Sequence, residues 1–251
     1  MDLGIRGRRA LVTGASQGIG KAVAISLAAE GAKVIVTSRR KAVLDEVVEE
    51  IGGESEGHMA IAVDLAEEGG PSRLAKATLD SGPIDIVVHN VGGTLEVRSA
   101  LSTMEDWRRV WMINVGIGIE INNILVPEMV DREWGRVVHL SSEAAHGLRG
   151  CAAYGPAKAA LNGYVKVLGR EVATSNVIVS SILAGPWDSP GSHWDEISSE
   201  NPEQIPDFLR HHLAGGRLAS TDEISPVITF MCSDQVSFAA GAWMEVDGGT
   251  M

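Results

Sequence analysis

The sequence predicts a doubly wound α/β fold, a single parallel seven-stranded sheet with helices on both faces, and three observations carry that expectation. Seven short β-branched runs alternate with longer stretches of helical pattern. The first run leads directly into a glycine-rich turn and then a helix. The chain has 251 residues, 45% hydrophobic and 22% charged, enough apolar material for one large domain over 1–251 and far from the composition of disorder.

In order, strands are expected at 9–13, 33–37, 59–63, 84–89, 136–140, 177–183 and 242–246, each a compact run such as Val34-Ile35-Val36 or Val177-Ile178-Val179. Helices are expected near 18–30, 40–51, 71–81, 104–130, 152–175 and 221–232. Pro156 falls where a first helical turn tolerates proline, which sets that helix start at 153–155. Only 187–216 breaks the alternation: Pro190, Pro202 and Pro206 interrupt it, while Ile205, Phe208, Leu209 and Leu213 recur at the spacing of one short amphipathic helix. This excursion reads as a substrate lid, the alternative being a surface insertion packed on its own sheet.

Charge and cysteine usage exclude several classes. With 21 Lys+Arg against 33 Asp+Glu the net charge is −12, a surface that repels nucleic acid. Cys151 and Cys232 are too few for a disulfide framework, and no cluster has metal-ligand spacing. The apolar runs stop short of the ~20 residues that span a bilayer, and the N-terminus lacks a signal-peptide core. The expectation is a cytoplasmic protein without a membrane or nucleic-acid partner.

Thr13-Gly14-Ala15-Ser16-Gln17-Gly18-Ile19-Gly20 joins the first strand to the first helix. Glycines let the backbone approach a ligand, and helix N–H groups hold pyrophosphate. The same residues fit G-x-S-x-G, the nucleophile elbow of a serine hydrolase with Ser16 as nucleophile, but no earlier strand supplies the oxyanion loop such enzymes need. Where an NAD site carries a carboxylate after the second strand, this chain reads Ser38-Arg39-Arg40-Lys41, which favours the 2′-phosphate of NADP. The alternative is a solvated basic face tied to Asp45 and Glu46. Asp64, followed by Leu65, is suited to an adenine contact or, with Glu67, to a capping box.

Tyr154 and Lys158 stand four apart on one helix face. An ammonium beside a phenol stabilises phenolate and makes Tyr154 a candidate general acid and base; the alternative is a buried Tyr beside a solvated Lys. Ser141-Ser142 follows the fifth strand, at the strand end where ligands sit in this architecture. Trp187, Trp194, His193, His211 and His212 flank the lid, as an aromatic pocket or as its packed underside.

These motifs resemble the short-chain dehydrogenases/reductases in their compact branch, of β-ketoacyl reductase type, over nearly the whole chain. The resemblance rests on Gly14, Gly18 and Gly20, on Asn90-Val91-Gly92, on Asn114 within Met-Ile-Asn-Val, on Ser141-Ser142, and on Tyr154 with Lys158. It implies a Rossmann fold and NADP(H)-dependent hydride transfer to or from a small-molecule carbonyl or alcohol, in a homodimer or homotetramer paired through the helices before and at Tyr154. It also implies a tetrad: Asn114 holding a relay water, Ser142 (over Ser141) orienting the substrate oxygen, Tyr154 as acid/base, and Lys158 binding the nicotinamide ribose. Cofactor contacts are implied at Gly14, Ser16, Gln17, Gly18, Ile19, Gly20, Ser38, Arg39, Arg40, Asp64, Leu65, Asn90, Gly92, Gly185 and Ser189. The chain departs from the family in reading His89-Asn90-Val91-Gly92 for Asn-Asn-Ala-Gly, and Ala184-Gly185 for Pro-Gly. An NAD-dependent sugar or polyol dehydrogenase and a non-catalytic nucleotide-binding protein are the alternatives.

Overall fold

The computed structural model describes residues 1–147 and 152–250, with the backbone alone for Gly147, His193 and Glu196. Cys151 and the His193 side chain, both weighed above, lie outside the described residues. In chain order the strands are β1 (Arg9–Thr13), β2 (Lys33–Ser38), β3 (Met59–Ala62), β4 (Ile86–His89), β5 (Gly135–Ser142), β6 (Val177–Ala184), β7 (Trp187–Asp188), β8 (Ala219–Ser220) and β9 (Trp243–Val246). Seven of them form one parallel sheet in the order β3-β2-β1-β4-β5-β6-β9. The order reverses direction beside β1, so β1 and β4 open a crevice at their carboxyl ends, where such sheets bind ligands.

The helices are α1 (Gly18–Ala29), α2 (Lys41–Glu50), α3 (Gly70–Asp80), α4 (Met104–Trp111), α5 (Ile117–Asp131), α6 (Ala144–Gly147), α7 (Tyr154–Val172), α8 (His193–Glu200), α9 (Gln204–His212) and α10 (Thr221–Met231). Alternate residues of each central strand enter different cores, which explains why the strands read as unbroken apolar runs. Ala10, Val12, Val36 and Val138 pack with Leu27, Leu44 and Ile228 of α1, α2 and α10. Leu11, Ile35, Val87 and Val137 pack with Leu74, Leu125 and Val165 of α3, α5 and α7 on the opposite face.

The structure departs from the expected elements in several places. The helix expected at 104–130 is continuous but contains a π turn at Met112–Gly116. The stretch Met104–Asp131 has the length and apolar composition to cross a bilayer, contrary to the sequence expectation, yet more than half of its most apolar window is buried within the protein. β5 runs two residues further than expected, because Ser141 and Ser142 keep pairing with Leu183 and Ala184 of β6. The excursion at 187–216 holds two helices, α8 and α9, rather than one; Ser192 caps α8 by accepting a bond from Asp195 N. The excursion leaves and rejoins the body side by side, through the β7–β8 pair.

Candidate active site

The turn after β1 is shaped by what its glycines lack. Gly14 and Gly18 have φ of +65° and +59°, left-handed backbone that favours glycine. A Cβ on Gly20 would stand 2.4 Å from the carbonyl oxygen of Gly14, so the helix can fold back over the turn only without one. Gln17 precedes α1 with no side-chain capping bond, leaving the first-turn N–H groups open to an anion. Asn90 fastens the turn from β4: its Nδ2 donates to the carbonyls of Thr13 and Gly14, 3.1 Å each. Thr13, which sequence reading passed over, organises the same junction. Its hydroxyl donates to Val88 O and accepts from Asn90 N and Val91 N. Val91, bulkier than the family's alanine, fits because its Cγ2 lies against the bare α-carbon of Gly14.

At the end of β2, Ser38 Oγ accepts from Arg40 N, and the Arg40 guanidinium donates to Gln17 Oε1 at 3.2 Å. Lys41 pairs with Asp45, as the solvated-face alternative requires. Among the described residues, however, no carboxylate pairs with exposed Arg39 or Arg40, so both remain available to a phosphate. Asp64 Oδ1 accepts from Ala66 N in a local turn. It does not cap α3, which begins only at Gly70 behind a glycine, so the capping-box alternative is excluded by distance along the chain. Leu65 is buried in the core among residues of β1 and α3.

A cleft of about 540 Å³ opens over the carboxyl ends of β1, β4, β5 and β6. It brings together Gly14, Gln17, Gly18, Ile19, Asn90 and Gly92 with Ser141, Ser142, Tyr154, Lys158 and Gly185. Ser16 lines a separate groove between α1 and α10, beside Ser189. Gly20, Ser38, Arg39, Arg40, Asp64, Leu65 and Asn114 do not line the cleft. Trp187, Thr94, Glu143 and Thr250 do; sequence reading missed the last three, which carry no motif.

Lys158 is almost wholly buried, and its Nζ donates to the Leu140 carbonyl at 2.7 Å. Among the described residues no carboxylate accompanies it, and desolvation lowers its pKa from 10.5 to about 7. Nζ lies 5.5 Å from the centre of the Tyr154 ring. Asn114 sits in the π turn, where the shifted register strands a carbonyl. Its Nδ2 donates to Val110 O and Gly93 O, and its Oδ1 accepts from Gly93 N. A Cβ on Gly92 would lie 2.7 Å from Asn114 Oδ1 and 3.1 Å from Lys158 Nζ, so these two side chains close around a bare α-carbon.

Ser142 Oγ accepts from Ala144 N and retains its proton to donate; Ser141 Oγ is buried with no partner. Ser189 Oγ is also buried and unpartnered, 3.6 Å from where a Gly18 Cβ would be. Trp187 lies against Gly18 with a ring carbon 3.0 Å from that same position. An orphaned hydroxyl beside open helix N–H groups, a cradle any Cβ would fill, and two arginines with no carboxylate partner among the described residues suit a phosphorylated dinucleotide.

Below the cleft, β4 and β5 place His89 opposite His139, their rings stacked at 4.4 Å. Asn122 bonds both, its Oδ1 to His89 Nε2 at 2.8 Å and its Nδ2 to His139 Nε2 at 3.2 Å. Burial lowers the His89 pKa to about 4, and burial with the His89 and Lys158 charges lowers that of His139. His89 is thus a packed strand-end residue.

The sequence profile described as short chain dehydrogenase matches residues 8–197. A 3-oxoacyl-[acyl-carrier-protein] reductase of Aquifex aeolicus is 30% identical over 99% of both chains. Among solved structures, a 3-oxoacyl (acyl-carrier-protein) reductase from Agrobacterium tumefaciens with NADP bound superposes with a TM-score of 0.91 at 29% identity, covering 99% of this chain and 96% of that one. An L-sorbose reductase from Gluconobacter frateurii, complexed with NADPH and L-sorbose, gives 0.92 at 29% identity, covering 100% and 99%.

Proposed function

Because the chain belongs to the short chain dehydrogenase family, we propose that it is an NADP(H)-dependent oxidoreductase acting on a carbonyl or secondary alcohol. One observation carries this reading: Tyr154 and Lys158 enter the same cleft as the glycine turn, next to the serine pair at the end of β5. Relatives and solved neighbours named as reductases, two of them described with NADP or NADPH, support it.

Gly14, Gly18 and the first turn of α1 hold the pyrophosphate, Arg39 and Arg40 the 2′-phosphate, and Ser189 a nearby acceptor. The bound reduced nicotinamide supplies the hydride. Ser142 donates to the substrate oxygen and orients it. Tyr154 protonates that oxygen as hydride arrives, and the Lys158 ammonium stabilises the phenolate left behind. Asn114 braces Gly93 and with it the wall beside Lys158, where it also holds the relay water. Ser142 rather than Ser141 takes the orienting role, since its Ala144 bond fixes its rotamer.

Tyr154→Phe tests the mechanism: turnover falls at least about 10²-fold while NADPH still binds; unchanged turnover refutes it. The chain acts as one domain, 1–251, with 187–216 as its lid. A cytoplasmic location is part of this proposal. Pairing into a homodimer or homotetramer through α5 and α7 is supported by apolar Val126, Pro127 and Leu168 lining a surface groove between them; sedimentation of the purified chain checks it.

A further inference from the structure

The lid end of the cleft has a chemistry of its own. Trp194 of α8 and Phe208 of α9 both line it, their rings 4.2 Å apart and tilted by 46°. Phe208 is backed in turn by the His212 ring at 5.3 Å. The packing of one lid helix on the other therefore builds an aromatic wall before any substrate arrives. Two aromatic faces held in place favour a flat or ring-shaped apolar body.

Charge points the same way. Among the described residues lining the cleft, Lys158 is the only cation, and it is already committed to the Leu140 carbonyl beside Tyr154. The exposed side of the lid carries Glu200, Glu203 and Asp207 against Arg210, on a chain of net charge −12. Among the described lining residues a carboxylate-bearing ketone finds no free cation, and an acidic carrier protein meets like charge, which slows encounter and opposes docking.

Resting on the reading of this chain as an NADPH-dependent carbonyl reductase, we propose that its substrate is an uncharged ketone borne on an aromatic or alicyclic ring and held against Trp194 and Phe208. An acyl thioester delivered by a carrier protein is not its substrate. The carbonyl reaches Ser142 and Tyr154 while the ring stays under the lid.

The test follows oxidation of NADPH by the full-length protein with three substrates: an uncharged aryl or bicyclic ketone, a 3-ketoacyl thioester presented on acyl carrier protein, and a ketohexose. The ring ketone is expected to give the highest kcat/KM, by about tenfold or more. Phe208→Leu keeps apolar bulk but removes the ring face, so it should raise KM for that ketone about three- to tenfold, the scale of one lost aromatic contact. The dissociation constant for NADPH should stay at the wild-type value in Phe208→Leu and in Trp194→Leu. Preference for the carrier-bound thioester or the ketose, or an unchanged KM in both variants, overturns the proposal and leaves the reductase reading standing. Intact NADPH binding with no oxidation by any of the three removes the reductase reading and this proposal with it.

Discussion

Acid should destabilise this protein through a histidine buried beneath the cleft. His89 is held neutral in the core, with its pKa lowered from 6.5 to about 4 by burial and only partly restored by Asn122. The groups facing it are the His139 ring across the strands, Asn122 of α5 and, through Asn122, the Tyr164 hydroxyl of α7; none is an acid that would welcome a proton. Above pH 6.5 the imidazole is neutral in both folded and unfolded chains, so it makes no difference to stability. Below 6.5 the unfolded chain takes up a proton that the folded chain refuses until about pH 4, so stability falls as pH falls across that window. The loss through His89 alone is about 2 kcal/mol at pH 5 and about 3 kcal/mol at pH 4. His139, shifted in the same direction, adds to it. Urea unfolding at fixed protein concentration, at pH 7.5 and pH 5, measures the loss for wild type and for His89→Asn. The variant removes the titrating group, so its loss between the two pH values should be smaller by about 2 kcal/mol. Equal losses in the two proteins would refute the reasoning.

Other expectations follow from named contacts. Arg39→Ala removes one of two arginines that, among the described residues, have no carboxylate partner after β2, so NADPH should bind about ten- to hundredfold more weakly and NADH little differently; fluorescence titration with both nucleotides checks this. Gly20→Ala places a Cβ 2.4 Å from the Gly14 carbonyl oxygen, which must push the turn open; NADPH affinity should drop by at least about tenfold, and an unaltered dissociation constant would count against the cradle. Arg136 is 1% exposed, donates to the carbonyls of Ser233, Gly135 and Asn176 and stacks on Trp134. Arg136→Met leaves those acceptors without their donor and should cost about 3 kcal/mol in chemical unfolding, without changing KM.

Much of the candidate site was legible because its parts are short-range. Glycines at 14, 18 and 20 mark a turn whatever lies around it, and a phenol and amine four apart share a helix face by geometry alone. The absence of a carboxylate after β2 is likewise a local fact. Less legible was the π turn at Asn114, since a one-residue slip in helical register leaves the apolar pattern of 104–130 almost unaltered. The second helix of the 187–216 excursion was hidden too: α8 reads His-Trp-Asp-Glu-Ile-Ser-Ser-Glu, with few apolar positions to betray its period.

The chain by itself determined the layered α/β architecture, the glycine turn and the placing of a phenol and an amine on one helix face, because apolar periodicity, glycine φ and helix spacing act over a few residues. Only the tertiary structure decided which distant residues meet. Thr13 ties down Asn90 across 77 positions, His89 faces His139 through strand register, and Thr250, at the far end of the chain, joins the cleft of Gly14. Such meetings depend on strand order and pairing, which the whole sheet selects through the burial of both its faces, and no local run of residues encodes them.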